Sequence, residues 1–512
     1  MPTFAQVLAA RAAADPDAEV VRRVGDRPWT AADLWTTAAG WARSLDDLVA
    51  PGQVVVTAAD SGPEAIALTA ALSSLGAVEL PVAPDTLAEW AHRLADVAQA
   101  VAILATAHRV EAQPLLSELA SAAGVPLLRV GTDLAVDADA ARHLRPREMK
   151  PTDPALIVMT SGTTGRSKAA VLPVGAPIGQ ARRVSEAMAY GPEDVVLNFF
   201  GWHHIIARNA GFLAVLLARG RMVVAPRFSA SGFLDLVRAE GVTAFSFMGA
   251  LCTMLLAQPP TAQDREHRVR AGYGGPAPAE LVAAFDRRFG ITLRQAYACT
   301  ELGDVAVTSA TQHCPGAAGR PVAEYDVRVV DEHGRPLPDG EIGELAVRPR
   351  RDGIAFLGYV GDPEATREAW RDGWFRTRDR ARLTDGWLRI EGRLGDVIRR
   401  RGVNIDPQHV EQALLAHPDV LEAAAVAVPS ELTEDEVLAV VVLADGTAVE
   451  AAELREHCRT RLPRHAVPRY VSCESELPHN SNLKVDRAAL RRRGLPATAW
   501  DADPRTPLDS EA

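Results

Sequence analysis

Hydrophobic and polar positions along the chain change period in an ordered way. Between about residues 52 and 130, short apolar runs alternate with longer stretches whose apolar residues recur every three to four positions. VVVTAAD (54–60) precedes GPEAIALTAALSSLG (62–76), and AVELPV (77–82) follows. A helical pattern over 87–98 then leads into VAILATA (101–107) and a further helical stretch. A second series starts at VVLNFF (195–200) and runs through RMVVAP, TAFSFM and RVRAGY to ITLRQAYA (291–298). Amphipathic segments such as SGFLDLVRAEG and PAELVAAFDRRFG separate those strands. Such alternation predicts βαβ units, with parallel sheets covered on both faces.

After Glu301 the texture changes. EYDVRVVD, the turn-rich EHGRPLPDGEIG and ELAVR predict antiparallel hairpins. From Leu394 onward a helix (407–418), two strands (420–429 and 436–443) and a second helix (450–462) predict a small α+β unit. The expected fold is therefore α/β. Residues 1–392 form a large domain of two pseudo-repeated βαβ sheets plus a small β region, and residues 393–512 a small α+β domain. From about Leu495 the chain loses apolar period and gains proline and acidic residues, so that tail is expected to be disordered.

Bulk properties narrow the function classes. With 512 residues, 47% of them apolar and 24% charged, the chain is an ordinary globular protein of about three domain lengths. Its net charge of −11 argues against nucleic acid and against docking on anionic membranes. No stretch approaches the roughly 18 consecutive apolar residues of a membrane span, and the N-terminus lacks a signal-peptide pattern. The five cysteines are scattered without a CxxC pair, which speaks against a disulfide framework or zinc and for a cytoplasmic location.

The chemistry begins with Ser161-Gly162-Thr163-Thr164-Gly165-Arg166-Ser167-Lys168, placed after the apolar run 155–160. Glycines let backbone N–H groups approach an anion, hydroxyls donate hydrogen bonds, and the lysine adds a mobile cation. This suits phosphate oxygens, but it is not a Walker loop, because only two residues separate the glycines. Further along come Tyr297-Ala298-Cys299-Thr300-Glu301, then GWFRTRD (373–379), GRLGDVIRRRG (392–402) and NSNLKVDR around Lys484. In this order and spacing the set resembles the signatures of the adenylate-forming superfamily, with the acyl-CoA synthetases nearest. The resemblance spans roughly residues 20–490.

The resemblance implies activation of a carboxylic acid by ATP, with release of pyrophosphate, and transfer of the acyl group to coenzyme A. A carrier-protein thiol, an amine or another nucleophile as acceptor remains open, as does a degenerate nucleotide-binding regulator. The protein is expected to act as a monomer or homodimer. Ser161, Gly162, Thr163, Thr164, Gly165 and Lys168 would surround the β- and γ-phosphates. Gly274, Gly275 and Pro276 would line the adenine, and Tyr297 would offer it a flat face. Thr300 would meet the α-phosphate, Glu301 would hold Mg²⁺, Asp379 would take the ribose, and Arg393 would reach the ribose or phosphate. Lys484 would bridge the substrate carboxylate and the α-phosphate. Gly395 would be the hinge on which a mobile C-terminal domain turns. His203 and His204 correspond to positions beside the acyl group; His204 would be catalytic and His203 would line the pocket with Trp202, Phe247 and Met248. As adjacent residues on a strand the two histidines face opposite sides, which discounts a metal pair. Two departures bear on geometry. Ala169 replaces a glycine after the phosphate loop, and Arg378 replaces the glycine before Asp379, where a positive φ would strain an arginine.

Overall fold

The computed structural model describes residues 1–83, 99–160, 168–394, 398–400, 403–430, 434–444, 446–447, 449–479 and 484–503. The helical pattern at 87–98, the loop residues 161–167 and Gly395 lie outside the described residues.

The two βαβ series form two separate sheets. The first has seven strands and a parallel centre, with Val78–Pro81 beside Val54–Ala58, which in turn pairs with Ala100–Thr106. Pro154–Thr160 joins Val78–Pro81 in parallel and then pairs antiparallel with Lys168–Pro173, so the phosphate-loop segment connects two adjacent strands. The second sheet has nine strands. Its parallel centre comprises Arg221–Val224, Val195–Asn198, Ala244–Phe247, Ala271–Gly274 and Thr292–Cys299. The N-terminal strand Glu19–Arg23 also enters this sheet, parallel to Arg221–Val224. Its burial alongside a strand some two hundred positions later leaves no local trace in the sequence.

Between the sheets lies one large apolar cluster, to which helices Ala31–Leu45, Pro63–Leu75 and Gly175–Met188 contribute. A third, antiparallel sheet contains the hairpin Tyr325–Val330/Gly343–Pro349 and the long strand Trp374–Thr384, paired with Trp387–Arg393.

Beyond it the small domain is built on Val420–Pro429, Asp435–Leu443 and Tyr470–Cys473, with helix Pro407–Leu415 against them. Residues 495–503 depart from the expected disorder, while 504–512 lie outside the described residues. Trp500–Asp501 adds a fourth strand, pairing Trp500 with Val471. Arg469 fixes it with two bonds to the Asp501 carboxylate, at 2.9 and 3.0 Å. A single aromatic and one bidentate ion pair order a segment that has no periodicity of its own.

Candidate active site

Three chain segments bring the predicted nucleotide residues together. Strand Thr292–Cys299 ends in a turn at Thr300 and Glu301 before reversing into Gly303–Val307. Asp379 and Arg393 are direct cross-strand partners in the third sheet. The Asp379 carboxylate accepts from Tyr297 Oη at 2.5 Å through one oxygen and from Arg393 Nε at 2.8 Å through the other. With Asp379 only 6% exposed, these contacts fix its orientation. Tyr297 is itself 8% exposed and packed in an apolar cluster, so its phenol acts as a hydrogen-bond donor; its ring is not laid open as a stacking face. Burial, and then the Asp379 charge, push the Tyr297 pKa up and keep that proton in place.

Glu301 belongs to a second cluster that the sequence pattern did not disclose. Its Oε1 accepts from Tyr359 Oη at 2.8 Å, and the Lys168 ammonium lies 4.8 Å from the centre of the Tyr359 ring. Strand Gly358–Tyr359 reaches this position by pairing antiparallel with Lys168–Pro173. The only sequence hint was a Gly-Tyr step shortly before the Pro363 helix start. At Gly274 a Cβ would lie 1.9 Å from the Phe247 carbonyl oxygen, so only glycine permits that approach. Gly275 and Pro276 follow directly, and the next N–H, of Ala277, donates to Gln295 Oε1 at 2.8 Å.

The histidine pair is not on a strand. Val195–Asn198 ends early because the Asn198 side chain bonds both the carbonyl and the N–H of Phe200, forming a local turn. His203 and His204 sit in the following bends, and Ile206–Leu213 continues as a π-helix, a rare form that marks functional sites. His204 Nδ1 accepts from the Ile206 N–H at 3.1 Å. Burial first, then Lys484 and His203, depress the His204 pKa to about 3, so the ring is neutral. Since an unfolded histidine titrates near 6.5, stability is lost as pH falls through the interval from about 6.5 to about 3. In His204→Gln the melting temperature is expected to fall less than in wild type between about pH 7 and about pH 5, as read by thermal unfolding at both values.

Of the proposed pocket residues, Trp202 and Phe247 belong to the core, at 2% and 0% exposure. Met248 is half-buried at the start of helix Gly249–Leu256. Trp202, however, leans on a buried ion pair that sequence reasoning missed. Arg208 NH2 meets Glu79 Oε2 at 2.5 Å, with both side chains 4% exposed. Thr57 donates to Glu79 at 2.9 Å, and Arg208 also bonds Thr69 Oγ1 at 3.2 Å. Glu79, Trp202 and His203 share one narrow cleft with Thr57, Leu68 and Pro81.

Lys484 completes the arrangement from the small domain. Although the residue keeps accessible surface, protein crowds its ammonium. Desolvation, then Arg393, press its pKa down, and Asp379 opposes them. The same lysine acts electrostatically on His204, so Lys484 lies within charge reach of Asp379, Arg393 and His204.

Comparison with known proteins agrees with that geometry. The family model described as AMP-binding enzyme matches residues 8–360, and that described as AMP-binding enzyme C-terminal domain matches residues 409–484. The chain belongs to this family. It is 31% identical over 492 residues to a feruloyl-CoA synthase of Amycolatopsis sp, covering 94% of this chain and 97% of the relative. It is 35% identical over 357 residues to a sulfoacetate–CoA ligase of Cupriavidus necator, covering 69% of each. ATP-bound MatB from Rhodopseudomonas palustris superposes with a TM-score of 0.84 at 26% identity, covering 96% of this chain and 98% of that one. The enzyme is an AMP-forming acyl-CoA synthetase, joining a carboxylic acid to coenzyme A through an acyl-adenylate.

Proposed function

We propose that Lys484 carries out the first half-reaction by holding the substrate carboxylate against the α-phosphate of ATP. What supports this is the charge coupling of a small-domain lysine to His204 and Asp379 of the large domain and to Arg393, the cross-strand partner of Asp379. Carboxylate and triphosphate repel, so a cation between them both assembles the reactants and stabilises charge as pyrophosphate leaves. Asp379 accepts from the ribose hydroxyls, held in place by Tyr297 and Arg393. Lys168 serves the phosphates together with the 161–167 loop. Thr300, on the turn beside Glu301, donates to the α-phosphate. Neutral His204 contacts the acyl carboxylate without adding a competing charge.

Glu301 fits a nucleotide-borne Mg²⁺ better than a resident metal. It supplies one hard carboxylate next to a lysine, and the described residues hold no group of three ligating side chains. Bound Mg²⁺ would neutralise phosphate charge; the chain's part is to orient Glu301 through Tyr359. We place the enzyme in the cytoplasm, a reading supported by five free cysteines. No helix among the described residues is long and apolar enough to cross a membrane.

A pyrophosphate-release screen over short, aromatic, long-chain and amino acids, with and without coenzyme A, tests the assignment. AMP and an acyl-CoA should appear together for at least one acid; release of ADP, or no acid-dependent release, would overturn it. Gly395→Pro should leave ATP–pyrophosphate exchange near wild type and block thioester formation, because a ring at the pivot fixes φ. Full turnover in that variant would reject the hinge.

A further inference from the structure

Strand Trp374–Thr384 carries arginine at four alternate positions, Arg376, Arg378, Arg380 and Arg382. Arg376 and Arg380 pair with Ala346 and Glu344 on the neighbouring strand, Phe375, Asp379 and Ala381 are buried, and Arg378 stands exposed in the irregular step between Arg376 and Arg380. Arg376 is paired with Glu344, and Arg382 with Glu391 at 2.7 Å. Arg378 and Arg380 make no side-chain hydrogen bond or ion pair among the described residues. Arg380 still feels the carboxylates of Glu391 and Asp406, whereas among the described residues no charge coupling is seen for the exposed Arg378 guanidinium, which gains from an anion placed beside it.

The backbone adds an independent observation. Arg378 has φ +60°, the left-handed region that disfavours any residue with a Cβ. It is pinned there on both sides: its N–H donates to Glu344 Oε1 at 3.0 Å, and its carbonyl accepts from the Leu394 N–H at 2.8 Å. A glycine would fit without strain, yet the position holds an exposed arginine. Strain kept beside a ligand site points to use of the side chain. The ligand is not ATP at its ribose, because Asp379 addresses that group. Arg380 instead looks toward the junction with the small domain, where it acts electrostatically on Asp406 and His409.

We infer that Arg378, with Arg380 beside it, binds the phosphates at the nucleotide end of coenzyme A, the 3′-phosphate foremost. This rests on coenzyme A being the acceptor. The test is thioester kinetics with coenzyme A and 3′-dephospho-coenzyme A, run beside ATP–pyrophosphate exchange. Arg378→Ala should raise KM for coenzyme A by about tenfold or more. It should leave KM for the dephospho form, and KM for ATP in exchange, within about twofold. Arg378→Lys should recover part of the loss. Arg378→Gly should lose affinity like the alanine variant while melting at a higher temperature than wild type, because the backbone strain is gone. Equal rises for both thiols, a rise in KM for ATP, or no change would overturn the inference. Wild-type exchange without any thioester product would instead remove the acceptor assignment on which it stands.

Discussion

Lys484→Ala is expected to reduce ATP–pyrophosphate exchange by about 10²–10³-fold, the loss typical of removing one charge-stabilising group from a reacting centre. Thioester formation from a supplied acyl-adenylate should stay within about twofold, since that step no longer brings two anions together. The split follows from where the ammonium lies. It lies within charge reach of Asp379, Arg393 and His204, and it comes from the small domain whereas His204 and Asp379 belong to the large one. Desolvation and Arg393 lower its pKa, so the charged form is lost at a lower pH than for an exposed lysine. The alkaline limb of the exchange profile should therefore disappear in the alanine variant. Equal losses in both half-reactions would show that Lys484 only supports the fold.

Glu79→Ala should lower stability by about 3–5 kcal/mol, because it strands a guanidinium out of water. Arg208 is 4% exposed at its side chain and keeps only neutral partners once the carboxylate is gone, Thr69 Oγ1 at 3.2 Å and the Trp202 carbonyl at 3.4 Å. Thr57 also loses its acceptor. The double variant Glu79→Ala/Arg208→Met should recover much of that loss, since neither charge is then left buried alone. Denaturant unfolding of the four proteins measures the coupling; additive losses would show that the pair is not a unit. Because Glu79 and Trp202 share their cleft with His203, the single variant should also disturb exchange in whatever fraction remains folded.

How much of this was legible in the chain varied with the range of the interaction. The strands from Val54 to Thr106 and from Val195 to Cys299 were visible because a sheet buried on both faces needs continuous apolar runs. The motifs around Asp379, Glu301 and Lys484 were legible because each consists of a few consecutive residues. The strain at Arg378 was also foreseeable, as a residue with a Cβ in a glycine's place.

Other features depended on partners far away in sequence. Tyr297 was assigned to the adenine by its ring; that its hydroxyl binds a carboxylate 82 positions later was not foreseeable. His203 and His204 were set on a strand, but one asparagine ends that strand by bonding across Phe200. Tyr359 carried little local signal and Arg208 none, because what defines them is Glu301 and Glu79 on other elements.

By itself, then, the sequence determined the two sheet-forming series, the order of the nucleotide motifs and the class of reaction. Local periodicity and short motifs need only neighbouring residues. Tertiary structure alone decided which side chains hold Asp379 and Glu301 in position, and that a neutral histidine feels the charge of a small-domain lysine. It also set Arg380 against the domain junction. Burial and charge pairing depend on groups that only the folded chain brings within a few ångströms of each other.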